Sequence, residues 1–427
     1  MAMIQAMVNA FKLPDLRRKL MFTFAMLVLF RFVAHVPVPG VDVAKLQSLF
    51  QTNQLMGMLD LFSGGAMTTF SVAAMGVYPY ITASIIMNLL MPIIPQLQEL
   101  SKEGDAGRKR INQYTHWLTV PLAALQAYAT ASLLNSQGII ANFGLSGSTI
   151  LPTAAMILSM TAGTILLVWM GELITENGIG NGVSIIIFGG IVARLPQILG
   201  QSLVSGNYLV LLIFAILGIL TVAAIVVVQE AQRRIPVQYA IRIRGTWMYG
   251  GQSTHIPLRV NSAGMIPLIF AMSIMLFPGT VASYFTYSSE AWVADIAKFV
   301  QGMFSTHSPL YWVLYFVLVV GFTFFYTMVI FQQQNLAENL QKYGGFVPGI
   351  RPGRPTSEYL NKVLYRITWL GAIFLGIVAI LPFFAQTINP MLVLSSTGLL
   401  IVVGVVLDTM KQLEAQLLMR HYEGFIK

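Results

Sequence analysis

Residues 208–228 read YLVLLIFAILGILTVAAIVVV, a run that contains no charged residue. The run is long enough to cross a bilayer as a helix, because about 20 apolar residues span the hydrocarbon core. The whole chain has the same character, since 56% of its 427 residues are hydrophobic and only 10% are charged. Soluble globular proteins carry about 25% charged residues. The sequence therefore predicts a protein whose main solvent is the lipid bilayer.

Further apolar runs of similar length lie on both sides of this one and bring the predicted number of membrane spans to about ten. An even number of spans places both termini on the same side of the membrane. The predicted spans cover residues 20–38, 71–94, 117–134, 150–171, 183–199, 208–228, 263–283, 310–331, 367–385 and 391–409.

The positive charges are distributed unevenly about these spans. All but four of the 25 Lys and Arg residues fall on the side of the N-terminus. Lys45 and Lys298 fall on the opposite side, and Arg31 and Arg194 fall within spans. Cytoplasmic loops are enriched in Lys and Arg, so we predict that both termini are cytoplasmic. A basic face on that side also suits contact with anionic lipids.

The segment from about residue 40 to residue 80 lies on the outer side in this topology and is too apolar for a solvated loop. Between Gly64 and Gly76 it is also too short to span the membrane. Irregular backbone at membrane depth is tolerated only inside protein or along a water-filled cavity. We therefore expect a short re-entrant helix that lines or fills a cavity. A helix lying flat on the outer leaflet is the alternative.

Two loops on the predicted cytoplasmic side are longer than helix connections require. In the loop at about 230–262, polar and apolar residues alternate, which predicts a β-hairpin whose tip presents Arg242 and Arg244. In the loop at about 332–366, glycines and prolines around Arg351 impose a fixed, non-helical shape. Long ordered loops of this kind usually carry function.

Motifs of soluble enzymes are missing from the sequence. It contains no P-loop, no His-Glu-x-x-His, no Gly-x-Ser-x-Gly and no dinucleotide fingerprint, and it has no cysteine. Arg31 and His35 lie four residues apart on the first predicted span, where we expect Arg31 to snorkel or to pair with a backbone carbonyl group. We therefore expect no cofactor, no metal site and no enzymatic activity.

The spans divide into two groups of five, with the middle of the chain near residues 200–208. Inverted halves are common in membrane transport proteins. No carboxylate is evident at mid-membrane, where ion-coupled carriers usually place one, so a passive pore is favoured. A secondary carrier of a small solute and an intramembrane hydrolase stay open as alternatives.

Four segments resemble a known family in the same order along the chain. They are MGVYPYITASII at 75–86, GELITENGIGNGVS at 171–184, RRIPVQY at 233–239 and FVPGIRPG at 346–353. On these segments the sequence resembles the SecY family, the central subunits of bacterial Sec protein-conducting channels, over nearly its whole length.

The resemblance implies an all-α polytopic membrane protein with ten transmembrane helices. They would form two inverted five-helix halves, residues 1–200 and 201–427, around an hourglass channel. The waist of the channel would be a ring of apolar side chains from Ile81, Ile85, Val183, Ile187, Ile269 and Ile401. A re-entrant plug helix at about 57–75 would close the outer funnel, with Leu61, Phe62, Gly64, Gly65, Met67 and Phe70 as plug residues.

The same resemblance implies a lateral gate between helices two, three, seven and eight, with polar contacts from Asn88, Gln126 and Asn261. It implies docking of the SecA motor ATPase or the ribosome on Arg242, Arg244 and Arg351. Further implied partners are the small subunits SecE and SecG, signal peptides and nascent or secretory polypeptides. The implied function is a passive pore in the bacterial cytoplasmic membrane. It would translocate unfolded polypeptides and release transmembrane segments sideways into lipid.

Overall fold

The computed structural model describes most of the chain and is mainly helical over that part. The described residues are 13–43, 45–46, 60, 63–140, 143–144, 147–204, 208–239, 242–244, 247–249, 253–286, 290–305, 308–334, 336–388 and 390–423.

The helices of the described part of the chain are numbered in chain order. They are α1 (Pro14–Val33), α2 (Tyr78–Leu90), α3 (Pro95–Lys102), α4 (Asp105–Ser136), α5 (Ile150–Asn177), α6 (Gly182–Val204), α7 (Tyr208–Glu230), α8 (Ile266–Phe285), α9 (Ala291–Met303), α10 (Pro309–Gln334), α11 (Leu336–Lys342), α12 (Arg354–Ile388) and α13 (Pro390–Glu423). The strands are β1 (Gln232–Tyr239), β2 (Arg242–Arg244), β3 (Trp247–Tyr249), β4 (Ser253–Arg259) and β5 (Gly345–Phe346).

A helix occupies most of every predicted span. In the second predicted span, helix α2 starts only at Tyr78, and a bend of 103° separates it from α3. By length and composition, four helical stretches of the described chain qualify as spans, and the bent pair would be a fifth. The number of ten stays a prediction. The four stretches are Ala106–Asn135, Gly147–Asn177, Pro309–Lys342 and Arg354–Leu381.

The chain forms two compact units. In the first unit, helix α5 packs against α1, α2, α4 and α6, and α6 also packs against α13. Glycines let these backbones approach closely, as is common between helices in lipid. A side-chain carbon at Gly163 on α5 would collide with the carbonyl oxygen of Val72. The first unit comprises Met1–Gly218, Met272–Trp312 and Pro382–Lys427, and the second comprises Ile219–Ala271 and Val313–Leu381.

The second unit contains a small sheet made by both long loops. Strands β1 and β4 pair antiparallel, with Ile235 opposite Ile256, which confirms the hairpin predicted for the first loop. Strand β5 comes from the other loop and pairs antiparallel with β1 through Gln238 and Phe346. One apolar cluster lies beneath the sheet and joins the two loops into a single folded module. Its buried members are Ile235, Val237, Leu258, Leu340, Val347, Leu360 and Val363.

The segment expected to form a re-entrant helix has a different backbone. Residues 64–70 and 72–77 form consecutive turns, and Asp60 and Ser63 before them are helical. The backbone angle φ is +66° at Gly64, +45° at Phe70 and +56° at Gly76. A right-handed helix cannot continue through such residues, so the chain turns repeatedly within this short stretch.

The packing of α12 gives a test of the second unit. A side-chain carbon at Gly371 would collide with the carbonyl oxygen of Val260, whereas nothing lies within 4 Å of the same position at Gly321 on α10. We expect Gly371→Ala to destabilise the protein by about 1–3 kcal/mol, the usual effect of overpacking. Gly321→Ala is the matched control and is expected to leave stability unchanged or slightly higher. Thermal unfolding of the purified protein in detergent measures both, and equal midpoints would contradict the close approach.

Candidate functional site

The first two predicted ring residues lie on helix α2. Ile81 and Ile85 are four residues apart, hence on one helical face, and both side chains are buried. The helix begins at Tyr78, whose hydroxyl donates a hydrogen bond of 3.1 Å to the carbonyl oxygen of Ser273. Pro79 occupies the first turn, where its missing N–H group has no helical partner to lose. The start of α2 is therefore fixed within the first unit.

The next two predicted ring residues, Val183 and Ile187, lie on the first turns of α6. Ile187 is buried and Val183 is half-buried. The helix begins at Gly182, where a side-chain carbon would collide with the carbonyl oxygen of Gly171 on α5. The Gly182 N–H donates a 2.9 Å hydrogen bond to the Thr175 hydroxyl. The glycine-rich turn thus holds the N-terminus of α6 against α5.

The remaining ring residues lie on different units. Ile401 is 1% exposed on α13, which packs against α6 in the first unit. Ile269 is buried near the N-terminus of α8 and belongs to the second unit. The structure thus gives apolar, largely buried environments to the predicted ring residues, and five of them share one unit. Closure of the ring around a pore stays a prediction.

The segment predicted to form the plug, called the plug segment here and described at residues 60 and 63–77, is anchored to α1 and α6 at Gly64. The Arg31 guanidinium donates a 2.7 Å hydrogen bond from Nη1 to the Gly64 carbonyl oxygen. This contact confirms the backbone pairing considered for Arg31. A side-chain carbon at Gly190 on α6 would lie 2.5 Å from the Cα of Gly64, and one at Gly64 would lie 3.0 Å from the Phe30 ring. Gly64 is therefore enclosed by α1 and α6.

The second part of the plug segment pairs with the chain that follows α1. The Val38 N–H donates a 2.9 Å hydrogen bond to the carbonyl oxygen of Phe70, and the Val72 N–H donates one of 2.9 Å to the carbonyl oxygen of Val36. Met67 and Phe70 are buried in an apolar cluster. The cluster comprises Val38, Leu46, Met67, Phe70, Ala74, Met75, Ala127, Ala131, Leu134, Ile139, Ile140, Met156 and Met160.

A buried carboxylate organises the first turns of the plug segment, and the sequence analysis missed it. Asp60 Oδ1 accepts hydrogen bonds from the Ser63 hydroxyl at 2.9 Å, the Met67 N–H at 3.0 Å and the Thr68 N–H at 3.3 Å. The sequence does contain a signal for this role, because Asp60 is a lone acidic residue just before an apolar, glycine-rich segment. Gly65 lies within these turns and is half-buried. The predicted plug residues Leu61 and Phe62 lie outside the described residues.

The three residues predicted for the lateral gate have separate local surroundings. Asn88 on α2 donates a long 3.5 Å hydrogen bond to the Ser84 hydroxyl, and Gln126 is buried on α4. Asn261 donates a 3.0 Å hydrogen bond to the carbonyl oxygen of Gly264 in the turn before α8. Within the described chain, Gln126 Oε1 and Asn261 Oδ1 are buried without a hydrogen-bond partner. Their role in a gate stays a prediction.

A polar cluster that the sequence analysis did not assemble links α2, α4 and α5. Glu172 Oε1 accepts a 2.8 Å hydrogen bond from the Asn112 amide and lies 3.0 Å from His116 Nε2. The Tyr80 hydroxyl donates a 3.4 Å hydrogen bond to Asn112 Oδ1, and its ring meets the His116 ring edge-on at 5.6 Å. The spacing of four between Asn112 and His116 was the available signal. Tyr80 directly precedes the predicted ring residue Ile81.

The predicted docking residues belong to the module formed by the two long loops. Arg242 and Arg244 are in strand β2, where they pair with Tyr249 and Trp247 of β3. Arg351 is exposed, and its carbonyl oxygen accepts a 2.8 Å hydrogen bond from the Thr356 hydroxyl. The hydrogen bond and the nearby strand β5 hold the Arg351 backbone in place.

Solved structures with the same fold are protein-conducting channels. The chain superposes on one such channel with a TM-score of 0.60 at 17% identity, covering 93% of this chain and 92% of that one. Sec61 in a canine ribosome–channel complex gives a TM-score of 0.62 at 17% identity, with the same coverage. The fold is therefore that of the protein-conducting membrane channels, in a multi-pass membrane protein.

Sequence similarity identifies the family. A model of the SecY family matches residues 71–410. Protein translocase subunit SecY of Streptomyces scabiei is 45% identical, with 100% of both chains aligned. The subunit of the same name from Thermotoga maritima is 43% identical over 100% of this chain and 98% of its own length. The chain belongs to the SecY family.

The contact between Gly64 and Gly190 gives a test of how the plug segment is held. We expect Gly190→Ala to push the segment away from α6, because its new methyl group would meet backbone atoms that cannot rotate aside. Gly200→Ala, further along α6, adds a methyl group with nothing within 4 Å and is the control. Met67 is buried in the parent protein, so a single cysteine introduced by Met67→Cys reacts with a maleimide faster when the plug segment moves away from α6. A several-fold faster reaction is expected for Gly190→Ala alone, and equal rates would refute the anchoring contact.

Proposed function

We propose that this chain is the protein-conducting channel of a bacterial cytoplasmic membrane and passes unfolded secretory polypeptides across it. The observation that carries the proposal is full-length similarity to protein translocase subunits at 43–45% identity. The same matches favour polypeptide translocation over the solute-carrier and hydrolase alternatives. The distribution of basic residues supports a cytoplasmic position for both termini, because cytoplasmic loops are enriched in Lys and Arg.

The proposed pore is closed by two devices. The first is the apolar ring, whose members are isoleucines and one valine in two inverted halves, residues 1–200 and 201–427. A narrow apolar constriction excludes water and ions by dewetting, yet it offers a passing polypeptide no polar site that would retain it. The second device is the plug segment, which is held by Arg31, the paired backbone at Val36–Val38 and the contact with Gly190.

The proposed lateral gate releases apolar segments into lipid. It lies between the second, third, seventh and eighth spans, with Asn88, Gln126 and Asn261 as its polar contacts. A sufficiently apolar segment of the passing chain prefers hydrocarbon to the aqueous pore, at about 0.3–0.6 kcal/mol for each Leu, Ile, Phe or Val. Partition of this kind needs no catalytic residue, so we propose that the chain is not an enzyme.

The work of translocation is supplied from outside the pore, by the SecA motor or by the ribosome. Support for a ribosome comes from two structural neighbours, canine Sec61 and the yeast Ssh1 complex, both solved bound to ribosomes. The module of the two long loops is the proposed docking surface, with Arg242, Arg244 and Arg351 as contact residues. SecE and SecG are the proposed small subunits, and anionic lipid the proposed partner of the remaining basic residues.

Crosslinking of a stalled secretory chain tests the ring. The protein has no cysteine of its own, so Ile81→Cys, Ile187→Cys and Ile401→Cys each introduce a single reactive site. Leu158→Cys, at a position 68% exposed on α5, is the control for the lipid-facing surface. A secretory chain with one cysteine, stalled during transport, is expected to form disulfides with the ring positions but not with the control. Reaction at the control alone would refute the ring.

Charge reversal at Arg351 tests the docking module. Loss of an interfacial arginine of this kind costs about 2 kcal/mol or more, so Arg351→Glu is expected to weaken SecA binding roughly 30-fold. The control is Arg354→Glu, which removes an exposed pair with Glu358 that contributes little to stability. Binding of SecA to the reconstituted complex and SecA-driven export are measured together. Normal export by Arg351→Glu at a normal protein level would rule out the docking role.

A further inference from the structure

Helix α9 lies in the connection between α8 and α10 and presents large apolar side chains to its surroundings. Trp292, Ile296 and Phe299 are 66%, 56% and 69% exposed. Their spacing of four and three residues puts them on one stripe of the helix. Exposed apolar residues that form a contiguous stripe mark a surface that is covered by a partner or a membrane.

The remaining faces of α9 have different chemistry. Ala294 and Ala297 are buried, so the small residues face the protein. Asp295 and Lys298 are exposed beside the apolar stripe, and their charges cancel. At about 100° per residue, the helix therefore divides lengthwise into a protein-facing side, an apolar stripe and a polar edge.

The connection from α9 to α10 is short and keeps α9 near the start of a predicted span. Only residues 304–308 separate its last residue, Met303, from Pro309, the start of α10. Six peptide steps reach at most about 20 Å, and turns at Phe304, Ser305 and Ser308 shorten that reach. The stretch from Pro309 to Lys342 is apolar and long enough to cross a membrane. The stripe on α9 thus lies within reach of the membrane surface at which this predicted span begins.

We propose that α9 is an interfacial helix whose Trp292–Ile296–Phe299 stripe inserts into the lipid surface between headgroups and acyl chains. Interfacial helices bury their apolar face about 5–10 Å into this boundary, and Trp is enriched at that depth. The occupant of the stripe is lipid and not protein. Because the helix carries no net charge, apolar burial and not attraction to anionic lipid drives the insertion. By the proposed topology the leaflet is the outer one, and the contact anchors the outer ends of α8 and α10.

Site-directed spin labelling tests the inserted stripe. The full chain, purified with its associated subunits, carries one cysteine at a time through Trp292→Cys, Ile296→Cys or Phe299→Cys. Asp295→Cys and Lys298→Cys are the matched controls on the polar edge, and all five positions are exposed, so labelling leaves the fold intact. Each labelled protein is reconstituted in vesicles of phosphatidylcholine, with or without phosphatidylglycerol. The accessibility of the label to oxygen, which dissolves in lipid, and to a water-soluble nickel chelate is then measured.

The stripe positions are expected to favour oxygen several-fold over the chelate in both kinds of vesicle, and the polar-edge positions to favour the chelate. Access of the chelate to all five positions would overturn the proposal, because the helix would then lie in water. Stripe labels shielded from both reagents would overturn it in favour of a protein partner or a second copy. Loss of the oxygen preference without phosphatidylglycerol would overturn the apolar basis of the insertion. The measurement does not depend on translocation. A result that overturns the interfacial helix would therefore leave the proposed channel function untouched.

Discussion

A backbone at membrane depth must satisfy its own hydrogen-bonding groups, and the structure around the plug segment follows from that constraint. The spans meet it by being helical. The turns at 64–70 and 72–77 pair some of their backbone groups with one another, and groups outside the turns provide further partners. Arg31 donates to the Gly64 carbonyl oxygen, Val36–Val38 pairs with Phe70 and Val72, and Asp60 accepts from successive turns. The charged residues Arg31 and Asp60 thus have a structural role in an otherwise apolar region.

The same solvent explains why glycines stand at the tightest contacts. Lipid is as apolar as the side chains that it surrounds, so the hydrophobic effect adds little between spans and close packing must replace it. The backbones of Gly171 and Gly182 meet where α5 turns into α6, those of Gly64 and Gly190 meet beside the plug segment, and Gly163 lies against Val72. These three glycine contacts all lie in the first unit, where they hold the glycine-rich turn and the plug segment against α5 and α6.

The parts of the structure that follow from local patterns were predictable, and those that depend on distant contacts were not. Apolar runs located the helices, and the alternation in the loop at about 230–262 predicted that it contains a β-hairpin, although not the bounds of β1 and β4. Strand β5 has only two residues, too few to show the alternation of polar and apolar residues that is typical of a strand. It forms because its backbone pairs with the edge of β1. The turns from Gly64 onward resemble a short apolar helix in sequence, and the positive φ of Phe70 is set by its partners. In the cluster of Glu172 with His116, the spacing of Asn112 and His116 on α4 is a local signal, but their partner Glu172 lies on another helix and could not be predicted from it.

In the proposed channel, the plug must close the pore firmly and still leave it when a polypeptide arrives. The described contacts suit both demands. The segment is enclosed by apolar side chains around Phe70, so that water is excluded while it stays in place. Among the described residues, hydrogen bonds to backbone groups join the segment to other parts of the chain, as between Arg31 and Gly64 and between Val36–Val38 and the backbone of Phe70 and Val72. A hydrogen bond of this kind contributes about 0.5–1.5 kcal/mol, or about 1.5–3 when one partner is charged. A passing chain that offers its own contacts to the funnel can therefore displace the segment stepwise, without a motor acting on the plug itself.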